Sequence, residues 1–197
     1  MAGASPSCAR PTTRASSSSS RARWRAAAAE RGAVRSIEEW RQAPRAERLA
    51  RLALTGDELA RAIAGQDASR LARRPDPVNW ASVEVLCHLR DTEESFLHRF
   101  RLILIMDEPC FPTTNPNRWA MERQYLRNDS AQALEAFVRR RAETLAFLRE
   151  LSDEQWARAG VQMDSRGRRT LDDFLAVMAW HDPNHVDQLS RALEGRA

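Results

Sequence analysis

Apolar residues recur with the 3.6-residue period of an α-helix along residues 37–197. No stretch alternates apolar and polar side chains in the manner of a strand. The β-branched residues are sparse beside alanine, leucine, arginine and glutamate, which favour helices. The sequence also contains no internal repeat and no glycine-rich phosphate-binding loop. The pattern therefore predicts an all-α protein.

Four amphipathic stretches are separated by irregular or proline-rich connections. The predicted helices cover residues 45–64, residues 82–106, a segment that begins near Asp129 and a segment that begins at Thr170. The second helix would be about 37 Å long, a length typical of a helix bundle. The sequence therefore predicts a four-helix bundle.

The ends of the predicted helices carry local signals. Asp129 with Gln132, and Thr170 with Asp173, have the spacing of a capping box at a helix start. Residues 107–119 contain three prolines, so we predict a long crossover loop between the second and third helices.

The excess of positive charge is confined to residues 1–36. This segment has seven arginines and one glutamate, a net charge of +6, whereas residues 37–197 have a net charge of −2. It is rich in serine and alanine and poor in large apolar residues, so we expect a disordered tail before one domain at residues 37–197. We expect a passive tail or a translated upstream stretch with the true start near Val34. A targeting peptide and a nucleic-acid-binding arm are the alternatives.

Several classes of protein are disfavoured by the remainder of the sequence. No run approaches the roughly 18 apolar residues of a membrane-spanning helix, so we expect no membrane association. The slightly acidic body has no basic stripe, which makes a nucleic-acid partner an unfavoured expectation. The three cysteines are scattered without a CxxC pair, and this pattern favours a cytoplasmic protein.

Histidine is the most informative residue type in this sequence, which contains four of them. His181 and His185 are four residues apart, so in a helix they lie on one face on adjacent turns. They continue the apolar stripe of the fourth predicted helix and should face the bundle core.

His88 lies in the middle of the second predicted helix, on one face with Thr92, Ser95 and Arg99. It is aligned close to the apolar stripe of that helix. His98 is ten residues further on and points about 80° away. We therefore expect His88, and not His98, near the core.

Three imidazoles in a bundle core would each need a hydrogen-bond partner, and one divalent metal ion could satisfy all three. Three histidine ligands leave an open position for water or a thiol, as in a catalytic site. The alternative is that these are ordinary surface or hydrogen-bonded histidines.

Three separated motifs bear a resemblance to the DinB/YfiT-like superfamily. They are Asn79-Trp80-Ala81-Ser82-Val83-Glu84-Val85-Leu86-Cys87-His88-Leu89 followed by Asp91-Thr92-Glu93, then Tyr125, Phe137 and Arg141, and finally residues 167–171 with His181-Asp182, His185 and Gln188-Leu189. The similarity covers roughly residues 45–195.

The resemblance implies a bundle of the up-down-down-up type that is frequently a homodimer. It implies a divalent metal ion, zinc or nickel, held by His88, His181 and His185. The known activities of the superfamily imply a metal-dependent enzyme with a small-molecule substrate. Transfer of a low-molecular-weight thiol is the leading expectation. A metal-dependent hydrolase and a non-catalytic metal-binding or stress-response protein are the alternatives.

Four other residues are weaker site candidates. Asp91 or Asp182 could orient a metal-bound imidazole, although both could be ordinary helix-surface acids. Arg141 could anchor an anionic substrate or pair with a core acid. Trp180 precedes the first histidine of the HxxxH motif and could form a pocket wall, although the tryptophans in general are expected to pack in the core.

Two positions depart from the pattern of the superfamily. Ala81 stands where a serine or threonine cap is usual, and Ser82 could shift the helix start by one residue. Pro183 lies between His181 and His185, removes a helical hydrogen bond to Ala179 and is expected to kink the helix. The kink could aim the imidazoles or spoil the site.

Overall fold

The computed structural model describes residues 35–164 and 166–197. All but the last two residues of the predicted tail lie outside the described residues. The helices are α1 (Ile37–Gln42), α2 (Arg45–Ile63), α3 (Ala68–Leu71), α4 (Ser82–Ile105), α5 (Pro116–Glu122), α6 (Ser130–Arg149), α7 (Asp153–Ala157) and α8 (Leu171–Leu193). A 3-10 turn spans Tyr125–Arg127, and the strands are β1 (Cys110–Phe111), β2 (Ala159–Gln162) and β3 (Gly167–Thr170).

The four long helices α2, α4, α6 and α8 form a four-helix bundle, which confirms the predicted fold class. Two of the predicted starts are capped as the sequence indicates. The Asp129 carboxylate accepts a hydrogen bond from the Gln132 N–H at 2.8 Å. The Thr170 hydroxyl accepts a hydrogen bond from the Asp173 N–H, and the Asp173 carboxylate accepts one from the Thr170 N–H, each at 3.0 Å. The two bonds complete a capping box.

Helix α4 begins at Ser82 with Ala81 at the cap position, so Ser82 does not shift the start. The Glu84 side chain accepts a hydrogen bond from the Ala81 N–H at 2.9 Å. The Ser82 hydroxyl instead donates to the Leu189 carbonyl at 3.1 Å, joining the start of α4 to the end of α8. Helices α4 and α8 are therefore antiparallel neighbours.

Side-chain pairs between the helices give the directions of the bundle. Helices α2 and α8 run parallel, as do α4 and α6, and the two pairs run opposite to each other. The pairs that set these directions are Arg48–Asp172 and Thr55–Asp182 between α2 and α8, and Arg90–Asn128 and Arg140–Glu94 between α4 and α6. This is the up-down-down-up arrangement, and the crossover between α4 and α6 is long because it joins parallel neighbours.

The core divides into two clusters along the bundle axis. One contains Phe100, Trp156 and Phe174, and the other contains Tyr125 and Phe137. Burial of these large apolar side chains is the main favourable contribution to folding. The level at which the clusters meet is the level of the histidines described below.

The connections contain more regular structure than the sequence predicts. The predicted loop at residues 107–119 includes β1 and the first turn of α5, and β1 pairs in parallel with β2, which pairs antiparallel with β3. A Cβ at Gly160 in β2 would lie 2.5 Å from the Phe111 ring, so the close approach of β1 requires glycine there. These strands are two to four residues long, too short to show alternation in a sequence.

Within the described part of the chain, no helix is both long and apolar enough to cross a membrane.

Candidate metal centre

The antiparallel packing of α4 against α8 brings three histidines from two helices to one point. His88 of α4 faces His181 and His185 of α8, and the His88 and His181 Nε2 atoms are 3.2 Å apart. Ring centroids are separated by 4.3 Å between His181 and His185 and by 4.6 Å between His88 and His185. One nitrogen from each ring lies within 4.8 Å of the other two. The structure thus brings the three predicted ligands together.

Each imidazole has a partner at the nitrogen that faces away from the cluster. His185 Nδ1 lies 2.7 Å from the Gln188 side-chain oxygen, and His181 Nδ1 lies 3.5 Å from an Asp182 carboxylate oxygen. His88 Nδ1 lies 3.4 Å from the Thr92 hydroxyl. A neutral histidine whose Nδ1–H is directed at an oxygen has a free lone pair on Nε2. This tautomer can bind a metal ion through Nε2.

Burial keeps two of the histidines, His88 and His185, neutral. The pKa of His88 is well below its ordinary value, because burial penalises the imidazolium and because His185 and His181 are close. Burial and His181 lower the pKa of His185 to about 3. A neutral imidazole is the form that coordinates metal, so protons do not compete for these nitrogens near neutral pH.

The donor set fits a divalent transition metal ion. Two nitrogens bound to one zinc ion in a tetrahedral site are about 3.3 Å apart, given Zn–N distances of about 2.0–2.1 Å. The 3.2 Å between the Nε2 atoms of His88 and His181 matches that separation. Without a metal ion, a single proton between these two nitrogens would be their only hydrogen bond, and the third ring would add a further lone pair directed at the same point. One metal ion can accept a lone pair from all three rings. Imidazole donors are suited to zinc, nickel, copper and iron.

Pro183 does not spoil the site. Helix α8 continues through this residue as one element, and His181 and His185 still converge. The Asn184 side-chain amide donates to the Trp180 carbonyl oxygen at 2.5 Å, next to the carbonyl of Ala179 that loses its helical donor. The predicted kink of the helix at Pro183 stays a prediction.

A cavity of about 960 Å³ opens beside the histidines. Its aromatic walls come from α4, α8 and the segments before α4 and α6. The residues concerned are Trp80, Phe96, Trp119, Phe174 and Trp180. Trp80 is 5.1 Å from the His88 ring and Phe96 is 6.4 Å from the His181 ring. Trp180 thus forms a pocket wall, and Trp80 and Trp119 line the cavity as well as packing on the core, whereas Trp156 is a core residue as expected.

Asp182 is placed as a positioning residue beneath His181. Its carboxylate is 2% exposed and accepts hydrogen bonds from Thr55 at 2.9 Å and from Arg141 at 2.6 Å. Arg141 holds the pKa of this buried carboxyl well below its ordinary value, although burial alone would raise it. The aspartate is therefore an anion that can orient the His181 imidazole.

Arg141 is not a substrate anchor. Its guanidinium is 4% exposed, lies outside the cavity wall, and donates to Glu93 and to Asp182 at 2.6 Å each and to the Leu52 carbonyl at 2.8 Å. The arginine neutralises two core carboxylates from α4 and α8. Of the two roles that the sequence left open, the structure shows the pairing with core acids.

The prediction that Asp91 could orient a metal-bound imidazole is not supported by its position. Its carboxylate accepts hydrogen bonds from Arg90 at 2.7 Å, Arg123 at 2.6 Å and the Tyr125 hydroxyl at 2.8 Å. Arg123 and Tyr125 tie α4 to the segment before α6. On α4 the side chain at 91 points about 60° away from His88, three residues earlier, so its role is to hold the crossover segment.

Sequence reasoning missed three features of the site. Gln188 lies three residues after His185, and this spacing on a helix could have indicated a partner for its Nδ1. The helical period placed Arg99 on the same face of its helix as His88, but indicated no role for it. Arg169 lies on β3 and had no signal, because its proximity to the cavity depends on how the sheet packs on the bundle.

We expect the metal-free protein to lose stability as the pH falls from 7.5 to 5. His88 and His185 have lowered pKa values in the folded state and take up protons near pH 6.5 when unfolded, so the unfolded state binds more protons below that pH. The free energy of unfolding should fall by at most about 1.4 kcal/mol per pH unit for each histidine. Urea unfolding of chelator-treated protein measures this slope. His88→Ala should reduce it and His98→Ala should not; an unchanged slope in His88→Ala would contradict the assignment.

Comparisons with known proteins agree with this geometry. A family model described as the DinB superfamily matches residues 51–189, most of the chain. A curated relative, YfiT from Bacillus subtilis strain 168, is 24% identical over 111 residues. The matched segment covers 56% of this chain and 62% of YfiT, less than two thirds of that relative's length.

A solved structure of YfiT from Bacillus subtilis superposes on the chain with a TM-score of 0.70 and 22% identity. The match covers 78% of this chain and 89% of that protein. YfiT is described there as a probable metal-dependent hydrolase with an unusual four-helix bundle topology. At this identity the structural match supports the fold, which is the same class as the one derived above.

Proposed function

The chain belongs to the DinB superfamily, and from that premise we propose that it is a metal-dependent hydrolase whose metal ion is held by His88, His181 and His185. The observation that carries the proposal is the convergence of three imidazoles, from two helices, on the wall of a cavity. Three histidine ligands leave a coordination position open, and an open position distinguishes catalytic from structural zinc sites. We propose zinc or nickel as the ion.

The metal ion would supply Lewis acidity, which polarises a carbonyl or phosphoryl oxygen and lowers the pKa of water. The chain's own residues prepare the site for it. Gln188, Asp182 and Thr92 lie at the three Nδ1 atoms and so fix the orientation of the rings.

The cavity walls favour a reaction that depends on the metal ion for its nucleophile. Trp80, Phe96 and Trp180 border the histidines with apolar surface, which lowers the local dielectric and strengthens electrostatic interactions there. None of the described residues in the cavity wall is an aspartate or a glutamate. Among the described residues, therefore, the cavity wall offers no carboxylate as a general base.

The hydrolase replaces thiol transfer as our leading function. YfiT is described as a hydrolase, and nothing in the comparisons supports a thiol transferase. Cys87 also cannot supply a thiolate, because it is buried beside the site and burial raises the pKa of its thiol to about 12. It packs in the core as the sequence predicts.

We expect hydrolysis that disappears when the protein is treated with a chelator and returns when zinc or nickel is added. The assay uses chromogenic carboxylic esters, anilides and phosphomonoesters, with His181→Ala as the inactive variant and His98→Ala as the matched control. Turnover that requires an added low-molecular-weight thiol would instead support the transferase. Metal binding without turnover of any of the three substrate classes would support a non-catalytic metal-binding protein.

A further inference from the structure

The charge of the cavity wall is one-sided. Five arginines and no aspartate or glutamate are among the described residues that line it. The arginines are Arg99, Arg166, Arg169, Arg191 and Arg196. Low-dielectric walls that carry one sign of charge concentrate ligands of the opposite sign.

Three of these five arginines are neutralised by acids that lie outside the cavity wall. Arg166 pairs with Asp164, Arg191 with Asp187, and Arg196 with Glu194. Pairing of this kind satisfies the guanidinium within the protein. These three side chains therefore need no ligand.

Arg99 and Arg169 differ, because neither makes an ion pair or a side-chain hydrogen bond with any residue among those the structure describes. Both side chains are half-buried. The Nε atom of Arg169 is fully buried without a partner. The Arg99 guanidinium lies 5.5 Å from the centre of the Phe111 ring, a cation–π contact that fixes its position but leaves its N–H donors free.

The surroundings of these two arginines are unfavourable for positive charge. Burial and the nearby Arg166 lower the pKa of both Arg99 and Arg169. A buried donor without a partner costs about 1–3 kcal/mol. Arg169 has such a donor at its Nε atom, and Asp173 and Asp164 act on its charge only through space, without an ion pair or a hydrogen bond among the described residues.

The two arginines lie at the end of the cavity away from the histidines. Helix α4 rises roughly 16 Å from His88 to Arg99, and the wall between them carries Phe96 and Phe174. Arg169 immediately precedes the cap of α8, at the same end as Arg99. A ligand that reaches both ends has an apolar or aromatic body and an anionic group.

We propose that Arg99 and Arg169 bind the carboxylate or phosphate group of an organic anion, whose apolar body lies on Phe96 and Phe174 and extends toward the histidines. Guanidinium groups present paired N–H donors that match the oxygens of both anions. This inference names the substrate class of the proposed hydrolase. It rests on that proposed function only for the hydrolysis of the bound anion, and not for its binding.

The test is binding to the chelator-treated protein, because a metal ion would itself attract an oxyanion. Three probes share one phenyl group: phenyl phosphate, phenylacetate and neutral benzyl alcohol. Isothermal titration at low ionic strength, with tryptophan fluorescence as a second signal, measures their affinities. The two anions should bind at least about tenfold more tightly than the alcohol, as one charge-assisted hydrogen bond implies. The tighter of the two identifies the anionic group.

Arg99→Gln and Arg169→Gln should each weaken anion binding about tenfold or more and leave benzyl alcohol unaffected. Arg101→Gln is the matched control, since Arg101 lies on the same helix, is exposed and is not in the cavity wall. Arg169→Gln should not lower the melting temperature, because its charge has no ion-pair or hydrogen-bond partner among the described residues. Arg99→Gln should lower it only by the loss of the cation–π contact with Phe111.

Equal affinity for the anions and the alcohol, or unchanged anion binding by the double variant, would overturn the proposal. A melting temperature several degrees lower in Arg169→Gln would also overturn it, since that arginine would then be structural. The absence of hydrolysis would not alter these measurements, so the proposed function and the substrate class fail separately.

Discussion

His88→Ala and His181→Ala are each expected to remove specific divalent-metal binding from the purified protein. Each change leaves two of three imidazole ligands, and the loss of even an outer partner of a ligand costs about 10–100-fold in affinity. We therefore expect affinity for zinc to fall by more than about 100-fold. Metal content by mass spectrometry and titration against a chromogenic chelator measure the change.

Thermal unfolding gives a second measure of the same event. Zinc at about 1,000 times its dissociation constant should stabilise the wild-type protein by about 4 kcal/mol, and it should not stabilise His181→Ala. His98→Ala is the control, because His98 is exposed on α4 outside the cluster. Equal metal content in wild type and His181→Ala would show that the three-histidine site is not the metal site.

Arg141→Met is expected to destabilise the fold by about 3–5 kcal/mol, which is the typical cost of leaving a buried ion pair without one partner. Arg141 is the shared cation of Glu93 and Asp182, which are 1% and 2% exposed. Its removal leaves both carboxylates in the core without a counter-charge. Urea unfolding monitored by circular dichroism measures the loss.

The neighbouring residue supplies the control for this change. Arg140 pairs with Glu94 at 2.9 Å, but the Glu94 side chain is 58% exposed. Pairs of this kind contribute about 0–1 kcal/mol, so Arg140→Met should have little effect. If the two variants lose equal stability, the buried cluster of Arg141, Glu93 and Asp182 contributes no more to the free energy of unfolding than the exposed ion pair does.

Much of the fold was predictable because it depends on local sequence. The period of the apolar residues placed the four bundle helices, and the caps at Asp129 and Thr170 placed two of their starts correctly. The short strands and the short helices α1, α3, α5 and α7 were missed, since elements of a few residues carry too little periodicity to recognise.

The candidate site was predictable to the extent that it lies on helix faces. The four-residue spacing of His181 and His185 fixes their relative position on one helix, and His88 was on the correct face of another. Of the four weaker candidates, Asp182 and Trp180 lie beside the histidines. Asp91 and Arg141 instead form hydrogen bonds with residues away from the histidine cluster or within the core.

The sequence by itself determined the four long helices, their apolar faces and the three histidines, because each depends on residues a few positions apart. Only the tertiary structure decided which charges meet. Arg141 contacts residues 41 to 89 positions away, and Arg169 reaches the cavity because a short sheet packs on the bundle. An ion pair depends on which helices are neighbours and in which direction they run, and long-range packing sets both.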